Sequence, residues 1–250
     1  MRNLGRRSRA PATARGERIY AIGDVHGCVE LLEGLWARIM AHNATRPPAH
    51  TTHFVFLGDI VDRGPDTRGA LDWLDRKRHE VPGIMTLLGN HEEMLLRACE
   101  RDPMTFSNWL RNGGVEAAAS FGLPPFDGDD IGDYIEQLRA AVTPERLDWI
   151  RTWPLTATSG DYFLCHAGVR PGVALRRQQR RNLLWIREEF LADPRDHGAV
   201  IVHGHTISAA VEMRGNRIGV DTGAYATGVL SAVYLENAEV EVLATPAATR

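Results

Sequence analysis

Short runs of β-branched, aromatic and other apolar residues recur along the chain, and most end in a glycine-containing turn that also carries Asp, Asn or His. Their length and the flanking glycines predict buried β-strands. The predicted strands cover residues 18–22, 53–57, 84–88, 162–165, 199–202 and 217–220, and residues 229–243 resemble closing strands. This repeated pattern of apolar runs and polar turns restricts the chain to folds built around a sheet whose strands end in polar loops.

Helical patterns lie between the predicted strands. After the first strand, apolar residues recur at spacings of three and four and predict one buried helix face. That face comprises Leu31, Leu32, Leu35, Trp36, Ile39 and Met40. Further helices are predicted at residues 67–78 and 92–100, the latter stopped by Asp102-Pro103. Because strands and helices alternate, we expect an α/β fold.

The chain of 250 residues is long enough for one α/β domain with a substantial core, predicted at residues 17–250. Residues 1–16 carry five arginines and almost no apolar periodicity, and this pattern indicates a disordered basic tail. Residues 105–158 interrupt the alternation and are predicted to form a mostly helical insertion. It could cover a site or serve only as a structural cap, and both interpretations stay open.

Charge and cysteine usage argue against several classes of protein. A formal net charge of -3 gives no electrostatic reason to expect nucleic-acid binding. No run of about 18 apolar residues occurs, and the N-terminus lacks the apolar core of a secretion signal, so we expect neither a membrane span nor export. Three scattered cysteines fit reduced thiols in a cytoplasm. The sequence leaves the oligomeric state open.

Five polar loops follow the predicted strands and should meet at one edge of the sheet, because ligands bind at the carboxyl ends of strands in α/β folds. Carboxylate, imidazole and amide donors without thiolate suit manganese, iron or zinc. A carboxylate can bridge two such ions about 3.5 to 4 Å apart, and this pair can activate water against a phosphate ester. The loops read GDVHG, GDIVDRGP, GNHE, HAG and GHT, beginning at residues 23, 58, 89, 166 and 204.

In this order the five motifs resemble the metallophosphoesterase superfamily and, within it, the phosphoprotein phosphatase family, especially its bacterial and bacteriophage serine/threonine phosphatases. The match extends from about residue 18 to residue 223. The resemblance implies an α/β/β/α sandwich of two mixed sheets flanked by helices. It also implies two divalent metal ions, most plausibly manganese. The implied metal ligands are Asp24, His26, Asp59, Asn90, His166 and His205, with Asp59 bridging both ions.

The resemblance also implies the groups that act on the substrate. His91 would be the general acid that protonates the leaving oxygen, and Asp62 would orient it and favour its imidazolium form. Arg63 and Arg187 would bind the phosphate, since a guanidinium can bond two phosphate oxygens at once. Asn90 would also contact the phosphate.

The predicted reaction is hydrolysis of phosphomonoesters, with phosphoserine or phosphothreonine in proteins as the first candidate substrate. Hydrolysis of a symmetrical dinucleoside tetraphosphate such as diadenosine tetraphosphate is the alternative. Those hydrolases share most of the loops but commonly lack the acidic residue found here as Asp62. A catalytically inactive metal-binding module is a remote third hypothesis, because degenerate members usually lack a ligand or the acid.

Overall fold

The computed structural model describes residues 9–100 and 102–247. Its first sheet is mixed and five-stranded: three neighbouring strands run parallel, and the other two form an antiparallel pair beside them. In spatial order its strands are β10 (Glu239–Ala244), β9 (Ser231–Glu236), β1 (Glu17–Ile22), β2 (Thr51–Phe56) and β3 (Ile84–Thr86).

The second sheet is also mixed, with three parallel strands in its middle and an antiparallel strand at each edge. In spatial order its strands are β4 (Thr156–Ser159), β5 (Tyr162–Cys165), β6 (Val200–His203), β8 (Arg217–Gly219) and β7 (Glu212–Met213). The two short edge strands, β4 and β7, were not predicted. The six strands expected from the apolar runs are all present, each within two residues of the predicted bounds at either end.

The strands alternate between two buried faces, as expected for side chains that point to opposite sides of a sheet. On β1, Ile19 and Ala21 pack between the sheets, against residues such as Leu164 and Val202 of the second sheet. Helices cover the outer face of the first sheet, while a separate apolar cluster covers that of the second. The expected α/β/β/α sandwich is therefore confirmed.

Two longer helices, of 16 and 14 residues, belong to the apolar cluster beside the first sheet, and the other helices of the described residues have 12 residues or fewer. None of the helices in the described part of the chain is long and apolar enough to cross a membrane. The helices are α1 (Val29–Ala44), α2 (Thr67–Glu80), α3 (Asn90–Ala98), α4 (Pro103–Trp109), α5 (Val115–Ser120), α6 (Ile131–Val142), α7 (Pro144–Arg151), α8 (Arg180–Trp185), α9 (Glu188–Leu191) and α10 (Ala224–Thr227).

The segment predicted as a helical insertion contains α4 to α7, with a kink at Leu110–Gly114 where Asn112 and Gly113 depart from helical geometry. Its buried aromatic residues Phe106, Trp109 and Tyr134 belong to the same apolar cluster as the interior of α1 and α2. Thr143 caps α7 by accepting a hydrogen bond from the backbone N–H of Arg146 (3.4 Å). The insertion therefore shares the core of the first sheet rather than forming a separate unit.

The expectation of a disordered tail over residues 1–16 is wrong for residues 9–16, while residues 1–8 lie outside the described residues. Arg9 forms an ion pair with Asp161 (3.0 Å), and the backbone carbonyl of Ala12 accepts from the Asp161 N–H (2.8 Å). Thr13 is buried and exchanges backbone and side-chain hydrogen bonds with Asn237. The segment thus ties the β4–β5 turn to the β9–β10 turn, through contacts that composition does not reveal.

We expect Thr13→Ala to lower the free energy of unfolding by about 1 kcal/mol, because its hydroxyl accepts from the Asn237 N–H (2.8 Å) and donates to the Glu17 carbonyl (2.9 Å). Thr13→Ser keeps the hydroxyl and should remain close to the wild type. Urea unfolding of the three proteins measures the difference. Equal stability of all three would mean that the hydrogen bonds of the Thr13 hydroxyl contribute no net stability.

Candidate metal centre

The five polar loops meet where strands of the two sheets end. Among the described residues, seven non-glycine residues have positive φ, and five of these belong to the candidate site. Such left-handed backbone is strained for residues with a Cβ atom and is found preferentially at functional sites. The five are His26, Asp59, Asp62, Arg63 and His205, with φ between 46° and 69°.

Asp59 lies at the middle of the candidate site. Its Oδ2 is 3.6 Å from His26 Nε2 and 3.9 Å from His91 Nε2, while its Oδ1 is 3.4 Å from His166 Nε2. Two groups of three residues could each hold a metal ion, because the potential ligand atoms within each group all lie within 4.8 Å of one another. Both groups contain Asp59. One group is His26, Asp59 and His91, and the other is Asp59, His166 and His205. This arrangement suits a carboxylate shared by two ions.

Two further predicted ligands, Asn90 and Asp24, lie beside the second group. His166 Nε2 lies 2.8 Å from Asn90 Oδ1 and 3.2 Å from His205 Nδ1. The Asp24 carboxylate accepts from the backbone N–H of His205, at 3.0 and 3.2 Å for its two oxygens. The structure therefore brings all six predicted ligands together from both sheets, with Asp24 bonded to the loop that carries His205.

Glu92 fixes the loop that carries Asp59. Its two carboxylate oxygens accept four backbone N–H groups, from Asp59, Ile60, Val61 and Gly89, at 2.7 to 3.2 Å. Burial raises the pKa of Glu92, and several of these amide donors act in the opposite direction. A Cβ atom on Gly89 would lie 2.1 Å from Asp59 Oδ1, so only glycine allows the two loops to approach this closely.

The electrostatics of the centre are dominated by burial. Burial, together with the carboxylates of Asp221 and Asp59, raises the pKa of Asp24 well above its usual range. Burial also raises the pKa of Asp59, lowers that of His166 to about 3 and lowers that of His205. Neutral imidazoles are the form that ligates metals, and a divalent cation would offset the cost of burying the carboxylates.

The donor set fits divalent metal ions. It consists of imidazole nitrogens and carboxylate and amide oxygens, without thiolate, which suits borderline ions. His205 Nε2 is buried and has no hydrogen-bond partner among the residues that the structure describes. Buried polar atoms normally have a partner, so this one indicates that a ligand completes the site.

A second cluster adjoins the centre. His91 Nδ1 lies 2.8 Å from Asp62 Oδ2, and Asp62 Oδ1 accepts from the indole Nε1–H of Trp109 at 2.9 Å. Burial lowers the pKa of His91 to about 4 and raises that of Asp62, while the Trp109 hydrogen bond lowers the pKa of Asp62. Burial therefore opposes the imidazolium form of His91, which the pairing with Asp62 is expected to favour.

The two predicted phosphate-binding arginines face the same centre. Arg63 donates to the hydroxyl of Tyr225 (3.1 Å), whose ring lies against that of His26 at 5.2 Å between centroids. Arg187 is exposed and directly precedes α9. Both guanidinium groups lower the pKa of Asp59, against the larger and opposite effect of burial. A dianionic substrate near Asp59 would therefore meet positive charge.

Three residues with structural roles in this centre were not predicted from the sequence. Glu92 holds two loops, Trp109 bonds Asp62, and buried Asp221 adds negative charge beside Asp24. Glu92 follows His91 inside a recognised motif, and that position was a usable signal. Trp109 lies far from the loops in sequence, and neither periodicity nor spacing pointed to its contact.

Comparison with known proteins identifies the family. A family model described as calcineurin-like phosphoesterase matches residues 17–234. This chain belongs to that family. Within a calcineurin-like phosphoesterase, the five loops are the expected place for a metal centre, and the structure shows two groups of residues that could hold ions.

The most similar curated relatives fall into two classes. The symmetrical bis(5'-nucleosyl)-tetraphosphatase of Dechloromonas aromatica is 33% identical over 61% of this chain, but the match covers only 44% of that relative. Serine/threonine-protein phosphatase 2 of Salmonella typhimurium is 26% identical over 85% of this chain and 90% of its own length. A crystal structure provisionally named a diadenosine tetraphosphatase superposes with a TM-score of 0.62, at 18% identity, covering 95% of this chain and 99% of the other. This structural similarity supports the α/β/β/α fold described above.

Because Asp59 belongs to both candidate groups, we expect Asp59→Asn to lower the affinity for both metal ions by about 10-fold or more. His26→Asn, which changes one group, should weaken one ion more than the other. Elemental analysis after dialysis against graded manganese concentrations measures the loss. An Asp59→Asn protein that keeps both ions at wild-type affinity would contradict a shared carboxylate.

Proposed function

We propose that this protein is a dinuclear metal-dependent phosphoesterase that hydrolyses phosphomonoesters, with phosphoserine and phosphothreonine in proteins as its substrates. The observation that carries the proposal is the hydrogen bond between His91 Nδ1 and Asp62 Oδ2 (2.8 Å), beside the shared carboxylate of Asp59. This pair gives the enzyme an oriented proton donor, which expulsion of a serine or threonine alkoxide needs.

The proposed ligands of the two ions are Asp24, His26, Asp59, Asn90, His166 and His205. Divalent ions bound there supply Lewis-acid activation of water and neutralise charge on the phosphate. Arg63 and Arg187 would bind phosphate oxygens through their guanidinium groups, and Asn90 would contribute its amide.

His91 Nε2 carries the proton that the leaving oxygen receives, while Asp62 holds Nδ1 and so fixes the tautomer and the ring plane. Burial lowers the pKa of His91 in the free protein. A phosphate dianion beside Nε2 raises it again, because an opposite charge within about 4 to 6 Å favours the imidazolium. Substrate binding thereby creates the acid that the reaction uses.

Two observations bear on the substrate. The tetraphosphatase relatives share higher identity with this chain, which favours dinucleoside tetraphosphates as the alternative substrate class. The serine/threonine phosphatase relative matches along 90% of its own length. The family resemblance also implies that tetraphosphatases commonly lack the acidic residue present here as Asp62. We therefore place phosphoproteins first.

We further propose manganese as the resident metal, with iron or zinc as alternatives, because nitrogen and oxygen donors dominate the site. We also propose a cytoplasmic location. All three cysteines are free and buried, and their thiols would persist in a reducing compartment.

Turnover of a phosphothreonine peptide and of diadenosine tetraphosphate, measured in parallel with manganese, iron and zinc, tests the substrate. We expect kcat/KM for the peptide to exceed that for the dinucleotide by about 10-fold or more, since Asp62 and His91 serve a poor leaving group. A strong preference for the dinucleotide would reverse the order of the two candidates. Inactivity on every phosphoester with each metal would revive the inactive binding module.

Replacement of His91 with Asn tests the acid. We expect metal content to persist, with kcat falling about 10²- to 10⁴-fold on an alkyl phosphate and much less on 4-nitrophenyl phosphate, whose leaving group needs little protonation. Steady-state kinetics on the two esters, together with elemental analysis, provide the comparison. Equal losses on both esters would refute the role of His91 as acid.

A further inference from the structure

The proposed function does not explain one contact of the His91–Asp62 pair, which the indole of Trp109 makes. Its Nε1–H donates to Asp62 Oδ1 at 2.9 Å, while the other oxygen of Asp62 bonds His91 at 2.8 Å. Trp109 and Asp62 have no exposed surface, and His91 is 1% exposed. We propose that Trp109 is a positioning residue that fixes the Asp62 carboxylate and, through it, the His91 ring.

The geometry of a carboxylate explains why a second donor matters. Rotation of an aspartate carboxylate about its last bond is broad, so one hydrogen bond leaves the plane of the group poorly determined. Donors at both oxygens, Trp109 at one and His91 at the other, fix that plane. The backbone N–H of Asp62 is held separately by the Thr67 hydroxyl (2.9 Å), which positions the main chain but not the carboxylate.

The indole is itself held firmly by the insertion. Trp109 is the last residue of α4 and packs against Phe106, with ring centroids 6.1 Å apart. A Cβ atom on Gly114 would lie 2.4 Å from the indole, so the backbone after the kink lies directly against the ring. The backbone N–H of Arg63 also donates to the carbonyl of Gly113 (3.0 Å). The insertion therefore bonds the Asp62–Arg63 loop at two points.

Simple packing is the competing explanation, since a buried tryptophan also fills volume. The two explanations separate at Trp109→Phe, which keeps an aromatic ring in the core but removes the N–H donor. The chain offers a matched control in Trp153, which is also buried, belongs to the same apolar cluster and has an Nε1 without a partner among the described residues. Trp153→Phe removes an N–H and ring volume without removing a hydrogen bond.

The kinetic experiment compares the manganese-loaded wild type, Trp109→Phe and Trp153→Phe on an alkyl phosphate and on 4-nitrophenyl phosphate. This arm rests on the proposed role of His91. We expect Trp109→Phe to lower kcat about 10-fold or more on the alkyl ester, with a smaller loss on the aryl ester and with KM and metal content unchanged. Trp153→Phe should leave the ratio of the two rates at the wild-type value. An unchanged ratio in Trp109→Phe would overturn the proposal.

A nuclear magnetic resonance experiment tests the positioning without relying on activity. In protein labelled with ¹⁵N, we expect the Trp109 indole N–H to exchange slowly with solvent, and we expect its resonance to shift in Asp62→Asn. The Nδ1–H resonance of His91 should move or broaden in Trp109→Phe but not in Trp153→Phe. An indole resonance unaffected by Asp62→Asn would overturn the proposal even if Trp109→Phe did not fold.

The two experiments also distinguish this inference from the proposed function. If His91→Asn lost activity equally on both esters, the acid assignment would fail. The resonances of Trp109 and His91 would still decide whether the indole fixes Asp62.

Discussion

The candidate site depends on the buried carboxylate of Glu92, which is not a predicted metal ligand but accepts the backbone N–H of the predicted ligand Asp59. Glu92 accepts N–H groups from the loop after β2 and from the loop after β3, and so joins two strand ends that would otherwise carry unpaired donors. Asp59 is held in left-handed backbone within the first of these loops. Because unpaired buried donors are costly, the hydrogen bonds to Glu92 stabilise a strained backbone that places Asp59 between the two histidine groups.

Both sheets contribute candidate metal ligands around the Glu92 carboxylate. The first sheet contributes Asp24, Asp59 and Asn90, and the second contributes His166 and His205. Burying several carboxylates and imidazoles together is unfavourable in the absence of compensating charge, and the raised pKa of Asp24 and lowered pKa of His166 express that cost. The same features favour divalent cations, so the interior is built for an ion-dependent reaction at some expense to the stability of the free protein.

The sequence predicted the strands and their polar loops because these are local signals, carried by apolar runs and glycine turns. It also predicted the convergence of six donors, since parallel strands end at a common edge and the ordered motifs resemble a known family. Trp109 escaped prediction because its contact to Asp62 joins residues 47 apart through a three-dimensional path with no periodic signature. The ordered segment from Arg9 escaped because its contacts are largely backbone hydrogen bonds, which composition does not encode. The burial of His91, which lowers its pKa, could not be predicted because it depends on neighbours from several loops.

The order of strands in the first sheet has a consequence for how the chain folds during synthesis. Strand β1 lies between β2 and β9, and the Arg18 side chain bonds Glu236, 218 residues further along. When β1, β2 and β3 have left the ribosome, the edge of β1 that later pairs with β9 is still unpaired. An open edge of this kind can pair with another nascent chain until residues 231–236 have been synthesised and have paired with β1.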